Sequence, residues 1–298
     1  MKIYSFMFAE KANFSIWFMC SHFDVSRSAF YDWVARRDSL SSKAAEEQRV
    51  VEVIAAIHAE SDGTYGEPRI TPELRNRGFC VNHKRVERLM KKHQLRGCAP
   101  KKSIVTTIPA IDADSVTDLV KRVFNNDEID ISWCGDISYI RTWEGWLYLA
   151  TVIDLGSRRV IGYAMAGHME TSLIEDALEM AVKTRGGAKM QQVPFHSDRG
   201  SQYTSRDFAK TTKELGVIRS IGRVATCFDN AVAESFFATL KKELVYRRTF
   251  TTRAQARSEI FGWIEGWYNS RRLHSTLGYL SPMQWEENKR QTKSAIAA

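Results

Sequence analysis

Three carboxylates carry whatever chemistry this sequence can do. Asp198 lies in "HSDRGSQYTS" (196–205), directly after Val193-Pro194-Phe195, which reads as a short buried strand. Glu234 follows after 35 intervening residues, a separation found among phosphodiester-transferring enzymes. The spacing alone says little, since Asp24–Glu60, Asp207–Glu243 and Asp229–Glu265 repeat it. Context separates them. Asp198 ends a core strand, where open α/β sheets place their ligand sites. Asp24 falls in a turn, Asp207 near a helix start and Asp229 at an N-cap, all routine places for an acid. Glu234 borders the apolar stripe Ala233, Phe237, Leu240 and Leu244 of its helix. The third acid is Asp136 in "WCGDISYI", on the same strand face as Ser138 and Ile140. Its rival is Asp154, which opens the turn "DLGSRR". Three carboxylates ~4 Å apart repel by roughly 4 kcal/mol per pair at an effective dielectric near 20, so such a set needs cations. Hard Mg²⁺ suits carboxylate oxygens, and two ions can serve an in-line displacement at phosphorus without a covalent protein nucleophile.

Elements must bring these acids together. "CGDISYIRT", "GWLYLATVID" and "RRVIGYAMAG" read as three antiparallel strands. A helix (172–184), the strand at 193–197, a helix from Ser205, the strand "GVIRSIG" and a long helix from Asn230 to about Tyr246 follow. A mixed α/β sheet results. A further helix from Thr252 leads into "YNSRRLHSTLGYLSP".

The first hundred residues read differently, as helices and tight turns. "FSIWFMCSHFDVSRSAFYDWVARR" (14–37) gives two short helices around Phe23-Asp24-Val25, with Ser26 as N-cap and Arg27 and Ser28 exposed at the start of the second. A separate amphipathic helix is expected from Glu46 to Glu60. "TPELRNRG" predicts a helix capped by Thr71 with Pro72 at N1 and Gly78 past its end. "VNHKRVERLMKKHQL" predicts another, capped by Asn82, whose polar face carries Lys84, Arg85, Arg88, Lys91 and Lys92. Between Arg69 and Lys102 there are 11 Lys/Arg against two Glu, the electrostatic footprint of a reader of the DNA backbone. "GCAPKKSIVTTIPAIDADS" (97–115) lacks periodicity and reads as a linker.

The net charge of +8 favours a polyanionic partner. Five scattered Cys without a C-x-x-C pair argue against a disulfide framework and a zinc site, and for reduced thiols in a cytoplasm. The apolar opening breaks at Glu10-Lys11 without a cleavage site, and no stretch approaches the ~18 apolar residues of a membrane span.

"WCGDISYI", "HSDRGSQYTS", "DNAVAESFFATLKKEL" and "YNSRRLHSTLGYLSP" together resemble the bacterial insertion-sequence-three family of transposases, the product of the second reading frame (OrfB). The resemblance runs from about residue 14 to 286, and extends to the core of retroviral integrases. It implies an RNase H-like catalytic core, a mixed five-stranded sheet with helices (118–286), preceded by an all-α helix-turn-helix-type DNA-binding region (1–97), a linker (98–117) and a tail (287–298). It assigns Asp136, Asp198 and Glu234 as catalytic acids and metal ligands, with two Mg²⁺ ions expected and Mn²⁺ as substitute. Ser138 stands where the family usually has Thr, and the integrases' His/Cys zinc module is missing. The implied partners are double-stranded DNA, further copies of the chain, and an upstream OrfA product to which the active form is fused. A bacterial cytoplasmic, nucleoid-associated location follows.

Lys241 lies seven residues after Glu234, nearly two turns and ~10 Å along the same helix face, and Asn230 one turn before it. Both are expected to contact DNA. Two other readings compete: a non-catalytic DNA-binding regulator, which has no use for three acids in matching contexts, and an RNase H-like nuclease that cuts without joining.

Overall fold

The computed structural model describes residues 2–98, 128–187, 189–198, 200–221 and 231–297. The chain divides into two compact units, 1–98 and 99–298. Apart from Cys98, the expected linker at 98–117 lies outside the described residues. No helix among the described residues is long and apolar enough to cross a membrane.

The first unit is all helical: α1 (Lys2–Ala9), α2 (Ile16–His22), α3 (Arg27–Glu60), α4 (Glu67–Asn76) and α5 (His83–Lys92). Met7, Met19, Cys20 and Phe30 form a small core under α1, α2 and the start of α3. Val50, Ile54 and Ile57 of α3, Ile70 and Leu74 of α4, and Val86 and Leu89 of α5 are buried where those three helices pack. Local capping follows the sequence. Ser26 Oγ accepts from the Ala29 N–H at 3.1 Å, and Asn82 Oδ1 from the Lys84 N–H at 2.9 Å. Gly78 takes φ +85° just beyond α4, where only glycine is unstrained.

Two expectations fail here. The helices expected at 26–37 and 46–60 are one continuous 34-residue helix. The intervening Ser/Leu stretch contains no Gly or Pro to stop it, so propagation wins over new nucleation. α4 begins one turn earlier than expected, with Gly66 at its N-cap and Pro68 in its first turn. Thr71 is therefore internal and donates to Glu67 Oε1 at 3.1 Å, and Pro72 sits inside the helix rather than at N1.

The second unit is built on a five-stranded mixed sheet of order β3-β2-β1-β4-β5. Its strands are β1 (Trp133–Thr142), β2 (Gly145–Asp154), β3 (Val160–Ala166), β4 (Val193–Ser197) and β5 (Val217–Ile221). β1–β2–β3 is antiparallel, and β4 and β5 add in parallel. One face packs on α6 (Thr171–Thr184), α7 (Ser201–Thr204) and α8 (Arg206–Glu214), burying Trp133, Ala150, Val152, Leu178 and Phe195. Gly162 of β3 is required there, because a Cβ would collide with the Ala177 carbonyl and Ala181 of α6. The other face packs on α9 (Ala231–Glu243) and α10 (Arg253–Trp263), burying Cys134, Ile140, Leu149, Phe236, Leu240 and Ile260.

After α10 a π-helical turn (Ile264–Asn269) aims Asn269 at β3, where its amide donates to the Val160 carbonyl (2.9 Å) and accepts from the Val160 N–H (3.0 Å). The last helix, α11 (Pro282–Ala297), returns Glu286 to the base of the sheet. There Glu286 meets Arg185 at 2.7 Å and Arg159 at 2.8 Å.

Candidate active site

The sheet brings the three acids together where its central strand β1 parts from β4, from three separate elements. β1 and β4 pair in parallel with Trp133 opposite Phe195 and Cys134 opposite His196. Continuing that register by two residues sets Asp136 beside Asp198. Alternation along β1 puts Asp136 on the face of Cys134 and Ile140, which is the face that packs on α9. Glu234, in the first turn of α9, stands over the same face.

The electrostatics report their proximity. Burial pushes the Asp136 carboxyl up to about 7, with Asp198 and Glu234 adding to the rise and the Ile137 N–H and Lys241 opposing it. That N–H donates to Asp136 Oδ1 at 2.7 Å. Loss of solvent also raises Glu234. Asp198 is exposed one residue past β4, its Oδ1 accepting from the Gly200 N–H at 2.9 Å. β4 is fixed beneath it by the buried His196 Nδ1, 3.0 Å from Ser220 Oγ on β5. Tyr203 is wholly buried close by; desolvation first, then Asp136 and Asp198, push its hydroxyl well above its ordinary value. Lys241 is the cation that Asp136 feels, and partial burial lowers its own pKa. Its Nζ lies 5.4 Å from the ring centre of Tyr139.

Such a set is all hard oxygen, which suits a divalent ion that keeps waters and phosphate in its other positions. Among the described residues, however, no three His, Cys, Asp or Glu side chains close into a ready-made ion cage. The acids stand near enough to raise Asp136 without converging further.

Asp154 is a different kind of acid. It is fully buried and accepts from the N–H groups of Asp130 (2.7 Å), Gly156 (3.0 Å) and Ser157 (2.7 Å). Arg185 lies 3.5 Å away. Its place at the last position of β2, opposite Trp133 and held by these donors, makes it a fold anchor.

Asn230 lies outside the described residues. In the first unit, Arg27 and Ser28 are exposed in the first turn of α3. The basic face of α5 is less free than its composition suggests. Arg85 pairs with Glu46 at 3.0 Å, while Arg88 and Lys92 share Glu47 at 2.7 and 3.1 Å. Those bonds hold the Glu47 carboxyl down at about 2. Lys84 and Lys91 are exposed.

One supporting pair escapes sequence reasoning. Glu243, at the end of α9, is buried with Arg272 of the "YNSRRLH" segment, at 2.8–3.1 Å. It fixes the helix that carries Glu234. A buried Glu late in α9 and an Arg after an aromatic run are visible as types, but nothing local joins positions 29 residues apart.

Comparison with known proteins agrees with this layout. Models of the integrase core domain match residues 126–227 and 234–289, and a model of an HTH-like domain matches 45–103. That last match covers the second half of α3 with α4 and α5, and starts beyond Arg27 and Ser28. The chain is 39% identical to transposase InsF of insertion sequence IS3A from Escherichia coli K12, over 95% of this chain and 98% of that one. It is 36% identical to a 31 kDa protein of insertion element IS600 from Shigella sonnei, over 92% and 99%. Among solved structures, the HTLV-2 integrase catalytic core domain in complex with magnesium aligns at a TM-score of 0.41 and 13% identity, over 53% of this chain and 97% of that one. Fold and matches together define an integrase-core enzyme of the polynucleotidyl transferase type, preceded by a helix-turn-helix-like region. The chain belongs to the insertion-sequence-three family of transposases, and its function is DNA transposition.

Proposed function

We propose that this chain cleaves and joins the ends of its insertion sequence by divalent-ion-dependent phosphoryl transfer, with Asp136, Asp198 and Glu234 as the catalytic acids. The observation that carries this reading is Asp136, whose carboxyl is pushed to about 7 by burial and by the two acids beside it. An unbound cluster of that kind is electrostatically unfavourable, and a cation relieves it. The three acids would hold two Mg²⁺ ions, with Mn²⁺ as substitute. Held by those residues, the ions would supply Lewis acidity for deprotonating the attacking hydroxyl and for charge on the departing 3′ oxygen.

The protein's own residues do the positioning. Asp136 comes from a strand locked on both sides, by β2 along its length and by β4 at its base. Glu234 comes from a helix held by Glu243 and Arg272. The backbone under both acids is therefore fixed before DNA arrives, so part of the entropy of assembling the site is met in folding. A water or a 3′ hydroxyl attacks phosphorus and gives its proton to solvent as the new P–O bond forms, and the leaving 3′ oxygen takes a proton from solvent as its bond to phosphorus breaks.

Lys241 and Asn230 contact phosphates next to the reacting one. In the first unit, Arg27, Ser28, Lys84, Arg85, Arg88, Lys91 and Lys92 contact the backbone of duplex DNA, with Lys84 and Lys91 bearing more of it than the ion-paired three. The working form is an oligomer of this chain on DNA, fused to an upstream OrfA product. Strand transfer of a labelled element end into plasmid tests the reading. The chain, alone or fused, should join ends with Mg²⁺ or Mn²⁺ and not in chelator. Cutting without joining by both forms would mark a nuclease.

A further inference from the structure

Beyond the acids, β1 presents a surface that neither the transposition reading nor the family matches assign. β4 pairs with β1 at Trp133 and Cys134, at the base of the strand. On the face opposite Asp136, alternation groups Tyr139 and Arg141 of β1 with Trp146 and Tyr148 of β2, in the register Tyr139–Tyr148 and Arg141–Trp146. Deeper in the sheet this face is covered by α6. At the hairpin end it is bare: Tyr139 is 57% exposed and Trp146 44%. The two rings meet edge to face, with centroids 5.1 Å apart and planes at 80°. Lys241 brings its ammonium within 5.4 Å of the Tyr139 ring centre, and Arg141 is exposed alongside.

We propose that Tyr139 and Trp146 form a stacking platform for unpaired bases of the DNA strand whose phosphate lies at Asp136. Three residues of strand separate Tyr139 from Asp136, ~10 Å at 3.3 Å each. That is roughly the span of three stacked nucleotides at ~3.4 Å. Exposed aromatic faces flanked by Lys241 and Arg141 match the chemistry of a base on a charged backbone, since every base offers a π face and each phosphate a negative charge. A purely apolar protein partner has no use for the two cations. The hairpin is also rigid enough to serve. Its tip is fastened by the Trp143 N–H to the Phe250 carbonyl at 3.1 Å, and by Arg253, whose N–H meets Glu144 at 2.8 Å and whose Nε meets the Trp146 carbonyl at 3.0 Å.

The proposal rests on the acids being the reacting site, and its test is kept independent of turnover. Fluorescence anisotropy with the full chain, in chelator, would compare a fully paired duplex, a fork with three unpaired nucleotides per strand, and the same fork with abasic unpaired positions. The unmodified protein should prefer the fork over the paired duplex by about tenfold, and the abasic fork should lose that preference. Tyr139→Ala and Trp146→Ala should each remove most of it while binding the paired duplex as before, and Tyr139→Phe should keep it. Equal binding to all three DNAs by the unmodified protein overturns the platform without needing any variant. So does a loss that is equal on paired and forked DNA, or a change in self-association by sedimentation with DNA binding untouched. Asp198→Asn should retain the fork preference. Whether that variant still transfers strands decides the catalytic reading separately.

Discussion

Asp136 and Asp154 lie three register positions apart in the same half of the β1–β2 ribbon, away from its turn, and both are short acids at least half-buried, yet their surroundings differ in kind. Asp154 meets three backbone N–H donors and Arg185. Burial pushes its carboxyl up, and those donors act against the rise. Asp136 meets one N–H donor and two further carboxylates, and burial lifts it to about 7. A buried acid surrounded by donors is a fold anchor. A half-buried acid among acids is a place where a cation would be stabilising.

The largest effects should separate those two neighbourhoods. Asp136→Asn, Asp198→Asn and Glu234→Gln should each lower strand transfer by ~10³-fold or more, since ion coordination supplies several kcal/mol of transition-state stabilisation. Melting temperature and DNA affinity should stay near those of the parent. Asp154→Asn should do the reverse, losing stability while the folded fraction still transfers strands. If Asp154→Asn is as inactive as Asp136→Asn at full stability, the first acid is misassigned.

Glu286 sharpens the anchor side of the comparison. Burial alone would raise it, but the bonds from Arg185 and Arg159 outweigh that and hold its carboxyl below the ordinary 4.5. Removing one partner of a buried pair costs about 3–5 kcal/mol, so Glu286→Gln should lower the unfolding free energy by that order in urea titration. A depressed pKa stabilises the fold above the unfolded value and is lost as pH falls through the folded one. The gap between parent and Glu286→Gln should therefore be full above about pH 4.5 and close below it. A gap unchanged at low pH would contradict the charge pairing.

Lys241→Glu should lower strand transfer about tenfold with little change in stability, and Lys242→Glu, about 100° around the helix, much less. Equal effects would reduce Lys241 to general surface charge. The smallest change is expected in the first unit. Lys84→Ala and Lys91→Ala should each reduce the salt slope of duplex binding by about 1. Arg88→Ala should change it less, because Arg88 already neutralises Glu47.

What the sequence reveals follows the range of the interactions. Ser26 and Asn82 cap helices as expected, and Ser205 and Thr252, expected only as helix starts, cap theirs, because a cap is decided within three residues. The five strands and their order of hydrophobic alternation are likewise local. The merger of two expected helices into α3 is not, since only the absence of a breaker marks it. The choice of Pro68 over Pro72 at the start of α4 turns on Gly66, five residues before the motif that drew attention. The pairings Glu46–Arg85, Glu47–Arg88, Glu243–Arg272 and Arg185–Glu286 join residues 29 to 101 apart, and composition makes each look like free charge. The turn "DLGSRR" already sets Asp154 apart from Asp136 in the sequence, whereas Asp130 and Arg185 beside Asp154, and Asp198 and Glu234 near Asp136, come from distant positions that no local pattern joins.

The central claim is that Asp136, Asp198 and Glu234 act through a divalent ion on the leaving 3′ oxygen. Replacing that bridging oxygen by sulfur in a labelled element end tests it directly, because sulfur binds Mg²⁺ poorly and softer Mn²⁺ better. The account predicts that cleavage of the sulfur-bridged end fails with Mg²⁺ and returns with Mn²⁺, while the normal end is cut with either. Cleavage of the sulfur-bridged end that is the same with both ions, or that persists in chelator, would contradict it.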